Sequence, residues 1–216
     1  MTNVWEKLFK KKKWGEYPPE DLIRFISRHK KKKISKKMKV LEVGCGTGAN
    51  LKFLKDKGFD IYGIDISQTA IKKVKRLMKK DKANFKNGNF SNIPWPDDYF
   101  DGVIDNFSVY ANKISIIKKT YSEIYRVLKK KGFFFSKVWG TKTQGYRKGK
   151  KLEHNTFQKI KIGPCKNMGV THFFTYKELK NLNKIYRSNL IDKNFYSDKS
   201  INKNYFVEIF ISQSYK

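Results

Sequence analysis

The sequence predicts an α/β fold: three layers, doubly wound, on a mostly parallel seven-stranded sheet with an antiparallel C-terminal strand. Three features point there. Short apolar runs alternate with stretches whose apolar residues recur at helical spacing. Glycines 44, 46 and 48 sit where the first run meets the first such stretch. The last two runs are joined too briefly for a crossover helix, so they should pair antiparallel.

Pro18-Pro19-Glu20-Asp21 places prolines and acids at a helix start, with Leu22, Ile23 and Ile26 as its apolar face. Residues 38–43 read as a buried strand, and the helix with Leu51 and Leu54 stops at Gly58. A second strand spans 60–65, followed by a helix carrying Ala70, Ile71, Val74, Leu77 and Met78. A third strand is expected at 83–87, and the prolines of Ile93-Pro94-Trp95-Pro96 make that stretch a loop. The fourth strand is 100–105. Ile117, Tyr121, Ile124 and Leu128 form a helical stripe closed by Lys129–Lys131 and Gly132. A fifth strand spans 133–139, and 140–175 lacks a sustained period, which suits an insertion. A helix with Leu179, Leu182 and Ile185 then leads to closing strands at 190–196 and 205–212.

With 216 residues the chain is long enough for one domain spanning 1–216. Cys45 and Cys165 are far apart, which fits a reducing, cytoplasmic setting, and three scattered histidines supply no metal cluster. No run approaches the ~20 apolar residues of a membrane span, and no signal peptide is visible. The formal net charge is +30, carried by 49 basic residues of which only six are Arg. Bidentate reading of bases and phosphates favours Arg, so lysines spread along the chain read first as a solvated coat. A polyanionic partner, nucleic acid included, is the alternative, and the lysine-rich start with Trp5, Leu8 and Phe9 could also meet an anionic membrane.

Glycines at a strand–helix junction allow a tight turn and close approach of a ligand to the backbone. Gly44-x-Gly46-x-x-Ala49, with Asp65 ending the second strand, formally satisfies a dinucleotide fingerprint. The surroundings point elsewhere. Val40-Leu41-Glu42-Val43-Gly44-Cys45-Gly46-Thr47-Gly48 resembles motif I of the class I S-adenosylmethionine-dependent methyltransferases. Gly63-Ile64-Asp65-Ile66-Ser67 resembles their second motif. Gly88-Asn89-Phe90 with Ile93 to Asp101 is similar to their third, and Glu123 to Gly132 to the helix before the fifth strand.

That resemblance implies a Rossmann-like methyltransferase fold and S-adenosylmethionine as cofactor, with S-adenosylhomocysteine as product. Glu42, Gly44 and Gly46 would line the amino-acid end, Asp65 would hold the ribose, and Ile66, Asn89 and Phe90 would border adenine. Asn89 stands where the family usually has Asp. Trp14 and Tyr17 resemble an aromatic lid, making 1–37 a lid and helix segment, and 140–175 would close the substrate side. Asp105, Asn106 and Tyr110 follow the fourth strand, where the methyl should face its acceptor; Asp105 is counted with the cofactor contacts. Tyr110 and His172 are the candidate catalytic residues, and no metal is expected. The expected activity is methyl transfer to an O or N nucleophile of a small molecule. An RNA methyltransferase and a non-catalytic cofactor-binding protein are the alternatives. Asp105-Asn106-Phe107-Ser108 lacks the Pro-Pro-aromatic of nucleobase amino-methyltransferases, and Cys165 falls too late in the order for a cytosine-C5 nucleophile.

Overall fold

The computed structural model describes residues 2–11, 14–29, 37–198, 201 and 205–216; the lysine run at 30–33 lies outside them. Helices α1 (Thr2–Lys11) and α2 (Glu20–His29) precede β1 (Lys39–Val43), α3 (Ala49–Asp56), β2 (Asp60–Asp65) and α4 (Gln68–Leu77). Then come β3 (Phe85–Asn87), β4 (Phe100–Asn106), α5 (Ile114–Val127) and β5 (Leu128–Trp139). Three short strands, β6 (Lys150–Glu153), β7 (Thr156–Gln158) and β8 (Thr171–His172), form a separate small sheet. Helix α6 (Tyr176–Leu182) and strands β9 (Ser188–Ser197) and β10 (Phe206–Tyr215) complete the order.

The main sheet runs β3-β2-β1-β4-β5-β10-β9, with β10 antiparallel to both neighbours and the other strands parallel. Strand alternation feeds two cores. Val40, Ile104, Phe133 and Phe135 pack with Leu22, Phe25, Leu51 and Val74 of α2, α3 and α4. Leu41, Val103, Phe134 and Val138 pack on the opposite face with Ile117, Tyr121 and Ile124 of α5 and Leu179 of α6. The order reverses between β1 and β4, the topological switch point at which α/β sheets open a crevice beyond their carboxyl ends.

Four local expectations are corrected. Leu128 does not end a helix: it has extended backbone and pairs with Phe100, so Lys129–Lys131 lie on β5. The pairing slips between Phe100 and Gly102, where Lys131 takes a φ of 66°. Ala83 and Asn84 belong to a 3₁₀ turn, leaving a third strand of only three residues. In α2, Phe25 is buried and Ile23 is 37% exposed. Finally, the lysine-rich start forms α1, whose Phe9 is buried and whose Trp5 packs on the core.

Arg126 shows how one side chain sets the loop before β4. It donates to the carbonyls of Ile93 (2.8 Å) and Trp95 (3.0 Å) and to Asp97 and Glu123. The Glu123 carboxyl is held below its ordinary range by this guanidinium. Lysine cannot reproduce the fork, so Arg126→Lys should cost about 2 kcal/mol in urea unfolding, without a change in the slope.

Candidate functional site

A cavity of about 380 Å³ opens at the switch point. Its floor is the turn after β1. The Gly44 and Cys45 N–H groups both donate to Ile64 O, at 2.8 and 3.1 Å, tying that turn to β2. Gly44 has a φ of 68°, and a Cβ there would stand 2.2 Å from Ser108 Oγ. The glycine is therefore needed both for its dihedral and for the approach of the loop after β4. Asp65, at the end of β2, accepts from Gly46 N (2.9 Å) and Ser67 N (2.8 Å), one bond to each oxygen. Burial nevertheless pushes its carboxyl up. Each oxygen retains a lone pair beside the cavity.

Glu42 is the more exposed to cost. Its Oε1 accepts from Asn50 Nδ2 at 2.6 Å, while Oε2 is buried without a hydrogen-bond partner among the described residues. Burial, with smaller contributions from Asp65 and Asp105, raises its carboxyl to about 8. Without a cation beside it, Glu42 is mostly protonated at neutral pH. Three other polar atoms of cavity-lining residues are buried without a hydrogen-bond partner among the described residues: Trp14 Nε1, Trp139 Nε1 and Asn106 Oδ1. A carboxyl oxygen, an amide oxygen and two indole N–H groups thus suit a ligand that both donates and accepts.

Ten of the twelve predicted site residues line this cavity: Trp14, Tyr17, Glu42, Gly44, Gly46, Asp65, Ile66, Asn89, Phe90 and Tyr110. Asp105 and His172 do not line it. Asp105 is fully buried beneath the wall. Its Oδ1 accepts from Ser108 N (2.8 Å) and Val109 N (3.0 Å), and its Oδ2 from Ser136 Oγ (2.7 Å). Its carboxyl, raised to about 6 by burial, sets the turn that carries Asn106 to Ser108. It is a positioning residue. His172 is also fully buried, with Nδ1 2.7 Å from Thr156 Oγ1 and Nε2 3.1 Å from Glu178 Oε2. Only its backbone serves the cavity, donating to Tyr110 O at 2.8 Å. Tyr110 itself lines the wall, and burial holds its phenol far above the ordinary value.

Several lining residues escaped the sequence reading. Trp5 and Phe9 come from α1; with Trp14 they form an aromatic cluster with centroids 5.2–6.3 Å apart. Their i, i+4 spacing was the available clue. Phe107 stacks on Trp139 at 4.0 Å, and Pro164 and Met168 arrive from the 140–175 stretch. Glu6 of α1 accepts from Thr69 N, Thr69 Oγ1 and Ser67 Oγ at the start of α4, which holds its carboxyl at about 2. Among the described residues no cluster of three His, Cys, Asp or Glu could hold a metal. Cys165 is buried, and burial lifts its thiol to about 12.

A doubly wound sheet with one antiparallel strand and a glycine turn below a cavity at the switch point defines a nucleotide-type cofactor site in an α/β enzyme. Residues 41–136 match the family model described as "Methyltransferase domain". The chain is 34% identical over 111 residues to a sterol 24-C-methyltransferase of Gibberella zeae, covering 47% of this chain and 28% of that one. It is 35% identical over 103 residues to a demethylmenaquinone methyltransferase of Symbiobacterium thermophilum, covering 44% and 40%. The match therefore spans less than half of either relative. Among solved structures, a SAM-dependent methyltransferase from Methanosarcina mazei aligns with a TM-score of 0.69 at 21% identity, over 88% of this chain and 96% of that one. A 1,6-didemethyltoxoflavin-N1-methyltransferase of Burkholderia thailandensis, with bound S-adenosylhomocysteine, aligns with a TM-score of 0.64 at 14% identity, over 91% and 77%. Residues 41–136 thus match a methyltransferase-domain model, and the chain has the fold of S-adenosylmethionine-dependent methyltransferases. The cavity fits that cofactor: the buried, unpartnered Glu42 oxygen suits an ammonium, and the Asp65 lone pairs suit hydroxyls.

Proposed function

We propose that this protein transfers a methyl group from S-adenosylmethionine to an O or N nucleophile of a small, largely apolar molecule. The unpartnered Glu42 oxygen, facing Asp65 across a glycine turn, is the observation that carries this reading. Glu42 takes the ammonium of the cofactor's amino-acid end, while Gly44 and Gly46 let the backbone approach it closely. Asp65 holds the ribose hydroxyls; Ile66, Asn89 and Phe90 border the adenine; Trp14 and Tyr17 cover it. When bound, the cofactor supplies an electrophilic methyl on a sulfonium whose thioether leaves readily.

The acceptor half is walled by Tyr110, Phe107, Trp139, Pro164 and Met168, with Asn106 Oδ1 as its orienting acceptor. No side chain there is a free base at neutral pH, since Tyr110 stays a phenol. The chain accelerates transfer by aligning the acceptor with the methyl and excluding water, effects worth ~7–11 kcal/mol when alignment is good. The apolar walls and the names of the sterol and demethylmenaquinone relatives support an apolar acceptor. Carbon is a second reading, because several relatives are named as C-methyltransferases.

Calorimetric titration with S-adenosylhomocysteine tests the cofactor assignment. The expected result is binding that Asp65→Ala weakens by about thirtyfold or more, through loss of charge-assisted hydrogen bonds. Binding of NADH in its place would overturn the methyltransferase reading.

A further inference from the structure

We propose that the face formed by α1 and α4 docks on an anionic lipid surface, holding the cavity mouth against that surface. The cavity itself belongs to the function proposed above; the cations of the docking face lie outside it, and only Tyr17 on the rim is shared. Helix α1 lies along α4, held there by Glu6 on Ser67 and Thr69 and by Lys73 Nζ on Phe9 O. Trp5 and Phe9 turn inward to the cavity, which spends the apolar edge of α1. The outward edges carry Lys7, Lys10, Lys11, Lys72 and Arg76, and Lys79 follows on the 3₁₀ turn after α4, where Asp81 is engaged by Lys55; all six cations are exposed. Within these two helices the single acid is Glu6, already engaged by three donors from the start of α4 and 3.5 Å from Lys10. With one acid against these cations, the face is a predominantly cationic field.

Two apolar groups accompany the cations. Leu77 at the end of α4 is 49% exposed, and Tyr17 on the cavity rim is 87% exposed. Exposed aliphatic and tyrosine side chains among lysines suit the headgroup region, where an amphipathic ring meets polar and apolar surroundings together. Nucleic acid suits the face less well. Five of the six cations are lysines, point charges that respond to a diffuse negative surface, and Arg76 alone offers a fork for a base edge or phosphate. The covering helix of the cavity belongs to this face, so an apolar acceptor dissolved in the lipid would reach the mouth without crossing bulk water.

The test is co-sedimentation of the full chain with phosphatidylcholine vesicles, with and without about 30% phosphatidylglycerol, at ~0.15 M salt. Two triple variants are compared: Lys7→Glu with Lys72→Glu and Arg76→Glu on this face, and Lys118→Glu with Lys119→Glu and Lys180→Glu on α5 and α6. Both change the net charge equally. Wild type and the α5–α6 variant are expected to bind only the anionic vesicles, and the α1–α4 variant to bind them at least tenfold more weakly. Equal losses in both variants would reduce the effect to net charge and overturn the proposal, as would wild type that stays in the supernatant. A poly(U) RNA arm decides the other partner: loss of RNA retention by the α1–α4 variant, with vesicle binding intact, would overturn it in favour of RNA. Circular dichroism shows whether each variant is folded, and the corresponding Lys-to-Gln and Arg-to-Gln set replaces one that is not. S-adenosylhomocysteine titration of wild type reads the cofactor site separately, so its failure and a failure to dock are distinct results.

Discussion

Gly44→Ala should weaken S-adenosylhomocysteine binding by at least a hundredfold, the largest loss expected from any one-carbon change in this chain. Two effects add. Alanine at a φ of 68° is strained wherever it occurs, by roughly 1–2 kcal/mol. Here the new methyl would also meet Ser108 Oγ and Cβ at 2.2 and 2.3 Å. Ser108 is not free to retreat: its N–H is held by Asp105 and its hydroxyl donates to Gly44 O at 3.1 Å. The glycine turn must then pull away from the loop that carries Asn106 and Phe107, opening the cavity from below. Calorimetry and a thermal melt separate the two effects, since strain lowers Tm whereas the displaced floor lowers affinity beyond it. Binding within threefold of wild type would show that the floor does not touch the ligand.

The second large effect is a pH dependence. In the ligand-free protein the Glu42 carboxyl is raised to about 8 from an ordinary value near 4.5. A raised carboxyl is bound by its proton more tightly when folded than when unfolded. Stability is therefore lost as pH rises from about 4.5 to 8, by up to ~1.4 kcal/mol per unit, and levels above it. Asp105, raised to about 6, acts in the same direction at the lower end of that window. An ammonium beside Oε2 reverses the preference, so ligand binding expels the Glu42 proton. Affinity for S-adenosylhomocysteine should rise as pH increases from 6 to 8, by at most tenfold per unit, and flatten above 8. Titrations in two buffers of different ionisation enthalpy count the released proton directly. Glu42→Gln should bind more weakly at pH 8 and lose most of the slope. A slope that survives in Glu42→Gln would assign the proton to another group.

The sheet was legible because its strands are continuous apolar runs and its helices carry regular stripes. The boundaries that failed share a cause. Leu128 completes a helical stripe by spacing, yet its side chain is buried in the core and its backbone pairs with Phe100, so tertiary packing overrode the local period. The glycine turn, Glu42 and Asp65 could be read because their motif fixes them relative to strand ends. Asp105 and His172 could not. Each is a polar residue at the right point in the chain, and only the three-dimensional arrangement reveals that Ser108, Val109 and Ser136, or Thr156 and Glu178, have claimed its hydrogen-bonding atoms. Trp5 and Phe9 were hidden for another reason: lysines on either side made a buried, cavity-lining edge look like a solvated one.

The bonds from Glu6 to Ser67 and Thr69 bridge more than 60 positions of sequence. These bonds and the packing of Phe9 on Trp14 tie α1 to the rest of the fold. α1 contributes no strand to the sheet, and Leu22, Phe25 and Ile26 cover the neighbouring core without it. Its departure would uncover Trp14 and the glycine turn and leave the rest of the domain folded. Local unfolding of α1 and entry to the cofactor cavity would then be the same event, and the amide protons of α1 should exchange on the timescale at which the site opens.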